Sequence, residues 1–283
     1  MPKKPNAADY SPKTVALVRA TTLYLATKLG DLLDDIVIVG GLVPSLLVPQ
    51  DGAQGSTAHH VGTMDVDLGF ALGLLDQQRY HEVCERLRNA GFSPDVNEAG
   101  KPTSQRWRVD VGGNVVTVDF LIPKASPQDV EGSLRNLEAG FAAIITPGLE
   151  LAFQDRVKVT IRGETLLGEQ AEREVWVCGP GAFVVLKALA FRNRGENKDA
   201  YDLVYLLQNY GTGVGDVADR LKPLLESPVA QEALTVLRND FREARLTGPM
   251  RVAAFLGSPG DAAICADAAG AVRELLRLCG DSS

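Results

Sequence analysis

Short apolar runs alternate along this chain with longer stretches of helical spacing. Residues 14–29 place Val15, Leu17, Val18, Leu25 and Leu29 toward one side of an amphipathic helix, and Gly30 follows as its stop. Ile36-Val37-Ile38-Val39 is wholly apolar and β-branched, as a buried strand requires, and it runs into Gly40-Gly41, where the chain turns into a helix over residues 42–47 that Pro49 breaks. Residues 49–63 are rich in turn formers and have no period. Met64-Asp65-Val66-Asp67-Leu68 then alternates strictly between apolar and acidic, which predicts a strand with both aspartates on one face. Residues 76–89 are helical and closed by Gly91, and residues 107–122 read as a hairpin around Gly112-Gly113-Asn114.

Beyond residue 140 the pattern gives short strands at 143–146, 157–161 and 175–177. Gly179-Pro180-Gly181 opens a helix over 182–192, with Pro180 where a missing N–H costs nothing. Helices follow at 198–209, 214–225, 230–245 and 262–278, with breaks at Gly211, Pro228, Gly248-Pro249 and Gly257. A strand-rich first part and a helical remainder predict an α+β fold: a mixed-sheet domain over residues 1–178, its first dozen residues frayed, and a helical C-terminal domain over 179–283.

Composition narrows the chemistry. The 283 residues, 45% hydrophobic and 23% charged, suffice for one large domain or two modest ones, which excludes disorder and a small stapled fold. Three histidines and four cysteines without a CxxC pair speak against zinc-ribbon and thioredoxin chemistry. The opening residues lack the apolar core of a signal peptide, and no apolar run reaches the roughly 20 residues that span a bilayer, so a soluble cytoplasmic protein with no membrane partner is expected. A net charge of −7 argues against coating nucleic acid non-specifically. It leaves room for a local basic groove, to which Arg106-Trp107-Arg108 and the alternating Arg156, Lys158 and Arg162 are suited, although solvated strand faces explain both tracts equally well.

Asp65 and Asp67 are the most informative pair. Carboxylates at i and i+2 of one strand lie about 7 Å apart and point the same way, an arrangement that suits a hard cation such as Mg²⁺, which takes one or two carboxylates beside substrate phosphates. Asp119 breaks the strand Val115-Val116-Thr117-Val118-Asp119-Phe120 on the face opposite Val116, Val118 and Phe120. If the two strands are neighbours, three carboxylates converge and can serve a two-metal or metal-plus-base phosphoryl-transfer site. The competing reading makes the aspartates a plain solvent face. Gly40-Gly41 at a strand end favours the first, since glycine lets a backbone approach a phosphate and the N–H groups of a following helix form an anion site.

Ile36 to Val39 with Gly40-Gly41, then Gly62-Thr63-Met64-Asp65-Val66-Asp67-Leu68, then Val118-Asp119-Phe120 resemble the core signature of the DNA polymerase β-type nucleotidyltransferase superfamily. Within it, Lys187-Ala188-Leu189-Ala190-Phe191-Arg192 and Lys198-Asp199-Ala200-Tyr201-Asp202-Leu203 resemble the AbiEii/AbiGii toxin family of type IV toxin–antitoxin systems. The resemblance spans residues 30 to 210. It implies a polymerase β-like palm, a nucleoside triphosphate (NTP) bordered by Gly40 and Gly41, Mg²⁺ or Mn²⁺ on Asp65 and Asp67, with Asp119 as the third acid, a phosphate contact from Lys187, and Asp202, or else Asp199, as the acid of the last motif. The implied acceptor is an RNA end such as a tRNA 3′ terminus, and the implied partner is a separately encoded antitoxin. A protein or aminoglycoside-like acceptor, and a non-catalytic nucleotide-binding or antitoxin-interacting protein, are the alternatives. Ser45 stands apart from the glycine pair, unlike the family's small residue. His59-His60 stands where many relatives carry a basic residue, and the loop from Gln50 to Gly62 is either a lid or an insertion. For Lys187 the plain reading is a snorkelling lysine, and for Asp199 and Asp202 an ion-pair cluster with Arg194 and Lys198.

Overall fold

A computed structural model of the chain describes residues 4–50, 59–71 and 77–280. The predicted helix start at Asp76, most of the loop between Gln50 and Gly62, and the first three residues of the expected frayed end lie outside the described residues. In chain order the described residues form α1 (Pro12–Leu29), β1 (Ile36–Val39), α2 (Val43–Leu47), β2 (Asp65–Phe70), α3 (Gln77–Asn89), β3 (Ser93–Val96), β4 (Pro102–Val111), β5 (Asn114–Ile122), β6 (Leu134–Glu138), β7 (Phe141–Ile145), α4 (Leu151–Gln154), β8 (Arg156–Glu164) and β9 (Gln170–Cys178). The helices α5 (Pro180–Arg194), α6 (Asn197–Asn209), α7 (Val214–Leu221), α8 (Pro228–Phe241), α9 (Thr247–Phe255) and α10 (Ala262–Leu278) complete the chain. The fold is mixed α/β with a mixed sheet, as the α+β expectation holds.

The chain divides into a sheet unit, Pro12–Leu42 with Thr63–Cys178, and a helical unit, Met1–Ser11 with Val43–Gly62 and Gly179–Ser283. The chain passes into the helical unit at Cys178/Gly179, where the sequence placed the boundary. A continuous domain over 1–178 is corrected, because two earlier segments belong with the helices. Residues 7–11 are not frayed either: Asn6 and Asp9 cap a short 3₁₀ turn, and the Tyr10 ring packs 5.8 Å from Phe255.

In the sheet unit the strand order is β3-β4-β5-β2-β1-β9-β8, with β7 joined to β5 and β6 to β7. β2 runs antiparallel to β1 and parallel to β5, and β1 runs parallel to β9. One face is apolar by alternation: Val66, Leu68, Phe70, Trp107, Val109, Val116, Val118 and Phe120 are buried. Phe70, Phe120, Phe141 and Trp107 form an aromatic cluster with centroids 4.8–6.2 Å apart. Val18, Leu25 and Leu29 of α1 are buried as the pattern required, and so are Thr21 and Thr22, whose hydroxyls donate to the carbonyls of Leu17 and Val18 at 2.8 Å and so satisfy themselves. The strands β3 and β6 were missed because Ser93-Pro94 and the polar Leu134–Glu138 show no clear alternation.

The helical unit packs α5 to α10. Gly181 lets α5 meet α7, since a Cβ there would lie 2.5 Å from the Arg220 carbonyl oxygen. Gly248-Pro249 is not a break: it forms the first turn of α9, where proline is tolerated, and a Cβ on Gly248 would meet the Phe241 ring at 2.3 Å.

Candidate functional site

In the sheet unit the two aspartate strands are neighbours. β2 and β5 pair in parallel register with Asp65 beside Thr117 and Asp67 beside Asp119, which sets side chains of the two strands about 5 Å apart on one face. One carboxylate oxygen from each of Asp65, Asp67 and Asp119 lies within 4.8 Å of the other two. Asp119 is buried, and Asp65 and Asp67 are half-buried. The convergence expected from sequence is therefore present. Three anions at this spacing repel strongly in a partly dehydrated site, so the donor set, all hard oxygens, suits a divalent cation of the Mg²⁺ or Mn²⁺ kind.

The surroundings fix the three carboxylates. Thr63 Oγ1 donates to Asp65 Oδ1 at 2.7 Å. Gly40 has φ of +73°, and a Cβ on it would fall 1.8 Å from Asp67 Oδ2. Glycine is required here because this backbone conformation disfavours a side chain and because the Asp67 carboxylate occupies the space one would need. Arg106 on β4 lies directly across from Asp119 and donates through Nε to Oδ1 at 2.6 Å and through Nη2 to Oδ2 at 2.5 Å. The Asp119 hydrogen bond, aided by the charges of all three aspartates and opposed by burial, holds the guanidinium pKa above its usual range.

Gly41 is buried in a 3₁₀ turn, Gly40–Leu42, and the helix expected to offer an anion site is only the five residues of α2. A single helical turn aligns too few peptide dipoles to make a strong N-terminal field. For the basic tract on β8 the solvated-face reading holds: Lys158 and Arg162 face Glu174 and Glu172 of β9 at 3.6 and 3.4 Å, and Arg156 stacks 4.1 Å over Trp176. Lys158 and Arg162 are thus balanced within the hairpin, at the sheet edge three strands away from β2. Trp107 is fully buried, while Arg108 pairs with Asp95 at 3.5 Å.

The remaining sequence-identified residues form a second constellation, inside the helical unit. Lys187 on α5 is 3% exposed and donates to Asp199 Oδ1 at 2.9 Å and Asp202 Oδ2 at 2.8 Å. Lys198 Nζ donates to Asp202 Oδ1 at 2.6 Å, and Arg194 makes a two-pronged contact with Asp199 at 2.5 and 2.8 Å. Lys187 is thus neither a snorkelling side chain nor one open to a phosphate: two of its three ammonium donors already serve carboxylates. Asp199 and Asp202 are fully buried and act together, as the cluster reading expected. Burial opposes charge on Lys187 and Asp202, but the opposite charges facing each prevail, so the lysine pKa lies above its ordinary value and the Asp202 carboxyl far below the usual carboxylate range.

His60 completes this network. Its Nδ1 accepts from the Gly62 N–H at 3.1 Å and lies 2.7 Å from Ser45 Oγ, so the ring proton sits on Nε2 and is donated to Asp202 Oδ1 at 2.9 Å. Burial, reinforced by the charges of Lys198 and Lys187, pushes the imidazole pKa down to about 4 against the pull of Asp202, so it is neutral at physiological pH. The ring stacks on Tyr201 at 5.5 Å and contacts Tyr205 at 4.9 Å. His60 therefore acts as a neutral structural donor rather than as a replacement for a basic residue, and Ser45 serves its ring.

Sequence reasoning placed Arg106 in a basic tract and missed its pairing with Asp119, the contact most important to the acidic site, for which a signal was there. Gly112 and Gly113, both at positive φ, form a two-residue turn with Val111 paired to Asn114, and counting back from that turn puts Arg106 opposite Asp119. Nothing comparable links His60 to Asp202, 142 residues away. Cys84, Cys178 and Cys265 are buried and in no disulfide; burial pushes the Cys84 thiol up to about 12, which removes it as a nucleophile. No protein-family model and no curated protein matches the chain.

Proposed function

We propose that this chain is a Mg²⁺- or Mn²⁺-dependent nucleotidyltransferase with a polymerase β-like palm. The observation that carries the reading is the meeting of Asp65, Asp67 and Asp119 oxygens within 4.8 Å on two adjacent parallel strands, with Gly40 leaving room for Asp67. In the proposed reaction an acceptor hydroxyl attacks the α-phosphorus of an NTP; the new P–O bond forms in line as the bond to the β-phosphate bridging oxygen breaks, pyrophosphate departs, and the hydroxyl proton leaves to solvent. Asp65 and Asp67 would hold the divalent ion, whose contribution when bound is to offset charge on the triphosphate and the leaving pyrophosphate. Thr63 orients Asp65, Gly40 lets Asp67 take its position, and Arg106 neutralises Asp119.

The segments containing Lys187, Lys198, Asp199 and Asp202 support placing it with the AbiEii/AbiGii toxins, and hence an RNA acceptor such as a tRNA 3′ end, growth arrest as the outcome and an antitoxin as genetic partner. Incubation with each α-labelled NTP, Mg²⁺ and total RNA tests this. Label is expected on RNA with wild-type protein and not with Asp67→Asn. Label transfer undiminished by that substitution, or none with any NTP while NTP binding survives Asp65→Ala, would overturn the enzymatic reading. Label on protein or on an aminoglycoside but not on RNA would overturn the acceptor.

A further inference from the structure

We propose that Arg106 occupies the electrostatic place of a second cation at Asp119, so that the acidic site takes one divalent ion, on Asp65 and Asp67, rather than two. This rests on the metal-dependent reading above and gives Asp119 a role other than ligand of a second ion or base.

The guanidinium engages both oxygens of Asp119 at 2.6 and 2.5 Å, the planar fork-to-fork geometry in which Arg binds a carboxylate most strongly. The contact is partly dehydrated, with side chains 23% and 9% exposed, so water screens it weakly. Arg106 cannot escape by losing its proton, because arginine stays charged in proteins. Its backbone is also held. Trp107, the next residue on β4, is fully buried against Phe120 and Phe141 on the other face, and the β4–β5 register puts position 106 directly across from 119. The alternation of strand side chains then leaves Arg106 on the acidic face.

The charges close. Three carboxylates and one guanidinium leave two negative charges, which one divalent ion cancels. A second ion on Asp119 would have to share the carboxylate with a cation whose two donors already take both oxygens, and it would add two positive charges to a site already neutral. Asp119 is then a positioning residue: it ties Arg106 beside Asp65 and Asp67, where the guanidinium supplies the fixed positive charge that a second ion would otherwise bring to the phosphates.

Counting bound Mn²⁺ by electron paramagnetic resonance of the free ion, with full-length protein and Mn²⁺ alone, tests this. Wild type is expected to bind one ion per chain and Arg106→Gln two, with the double variant Arg106→Gln/Asp119→Asn returning to one. Circular dichroism confirms that each variant is folded. Two ions in wild type, or one ion in both wild type and Arg106→Gln, would overturn the proposal. If Arg106→Gln does not fold, Asp119→Asn alone decides, since it is expected to retain its single ion and loss of that ion overturns the assignment. No ion bound to wild type or to Arg106→Gln instead overturns the metal-dependent reading on which the proposal rests.

Discussion

The buried imidazole of His60 makes the helical unit's stability depend on pH in a range where few other groups titrate. Folded, His60 has a pKa of about 4; unfolded, it returns to 6.5. Between those values the unfolded chain binds a proton that the folded chain refuses, so stability is complete above pH 6.5 and is lost as pH falls toward 4. Each pKa unit corresponds to 1.36 kcal/mol, so the full loss is about 3 kcal/mol. At roughly 2–4 °C per kcal/mol for a chain of this size, the melting temperature falls by roughly 6–12 °C from this residue alone. The exposed His81 works in the opposite sense, since the Glu138 hydrogen bond raises its pKa, and carboxylates add their own losses at the acid end. A comparison with His60→Gln removes both contributions. The substitution loses the stacking on Tyr201 and Tyr205 and so lowers stability at every pH, but it carries no titrating group. Thermal melts followed by circular dichroism from pH 8 to 4.5 should show a wild-type advantage that is constant above pH 7 and shrinks steadily below 6.5. Parallel curves over the whole range would refute a neutral, buried His60.

Two further outcomes follow from the same packing. Asp202→Ala removes the common acceptor of Lys187, Lys198 and His60, and breaking a buried charge pair by deleting one partner costs about 3–5 kcal/mol; chemical denaturation should show that loss, and Asp202→Asn, which keeps an acceptor oxygen for His60, should lose less. Gly40→Ala places a methyl group 1.8 Å from Asp67 Oδ2 at a φ of +73°. The left-handed backbone alone costs about 1–2 kcal/mol, and Mn²⁺ affinity should fall about tenfold or more as Asp67 is displaced, equivalent to 1.4 kcal/mol or more of binding. Unchanged Mn²⁺ affinity would show that Asp67 does not hold the ion.

The local chemistry of the acidic site was legible because it obeys the period of two. Asp65 and Asp67 had to share a face once Asp65–Phe70 formed a strand, and Asp119 had to oppose Val118 and Phe120. The Arg106–Asp119 pairing depended on the length of the hairpin turn: Gly112-Gly113-Asn114, read as the turn, would set Arg106 opposite Phe120, and the two-residue Gly112-Gly113 turn of the structure sets it opposite Asp119. Gly248-Pro249 was misread for an equally local reason: a glycine–proline pair resembles a break, and only the Phe241 ring packed against Gly248 reveals a helix start.

What the chain's order of residues determined by itself was thus each strand's face, each helix's apolar side and the identity of the acids, all of which depend on neighbours a few positions apart. Which strands became neighbours was decided by the tertiary structure. β2 lies between β1 and β5, and its parallel pairing with β5 sets Asp67 beside Asp119 across 51 intervening residues, a choice that sheet packing makes and no local period encodes. The same holds for the helical unit. An ion-pair cluster of Asp202 with Lys198 was one of the two readings the sequence offered, whereas Lys187 read as a snorkelling lysine or a phosphate contact and His60 as a stand-in for a basic residue; burial, which strips away water and makes every charge seek a partner, joined all four into one closed network.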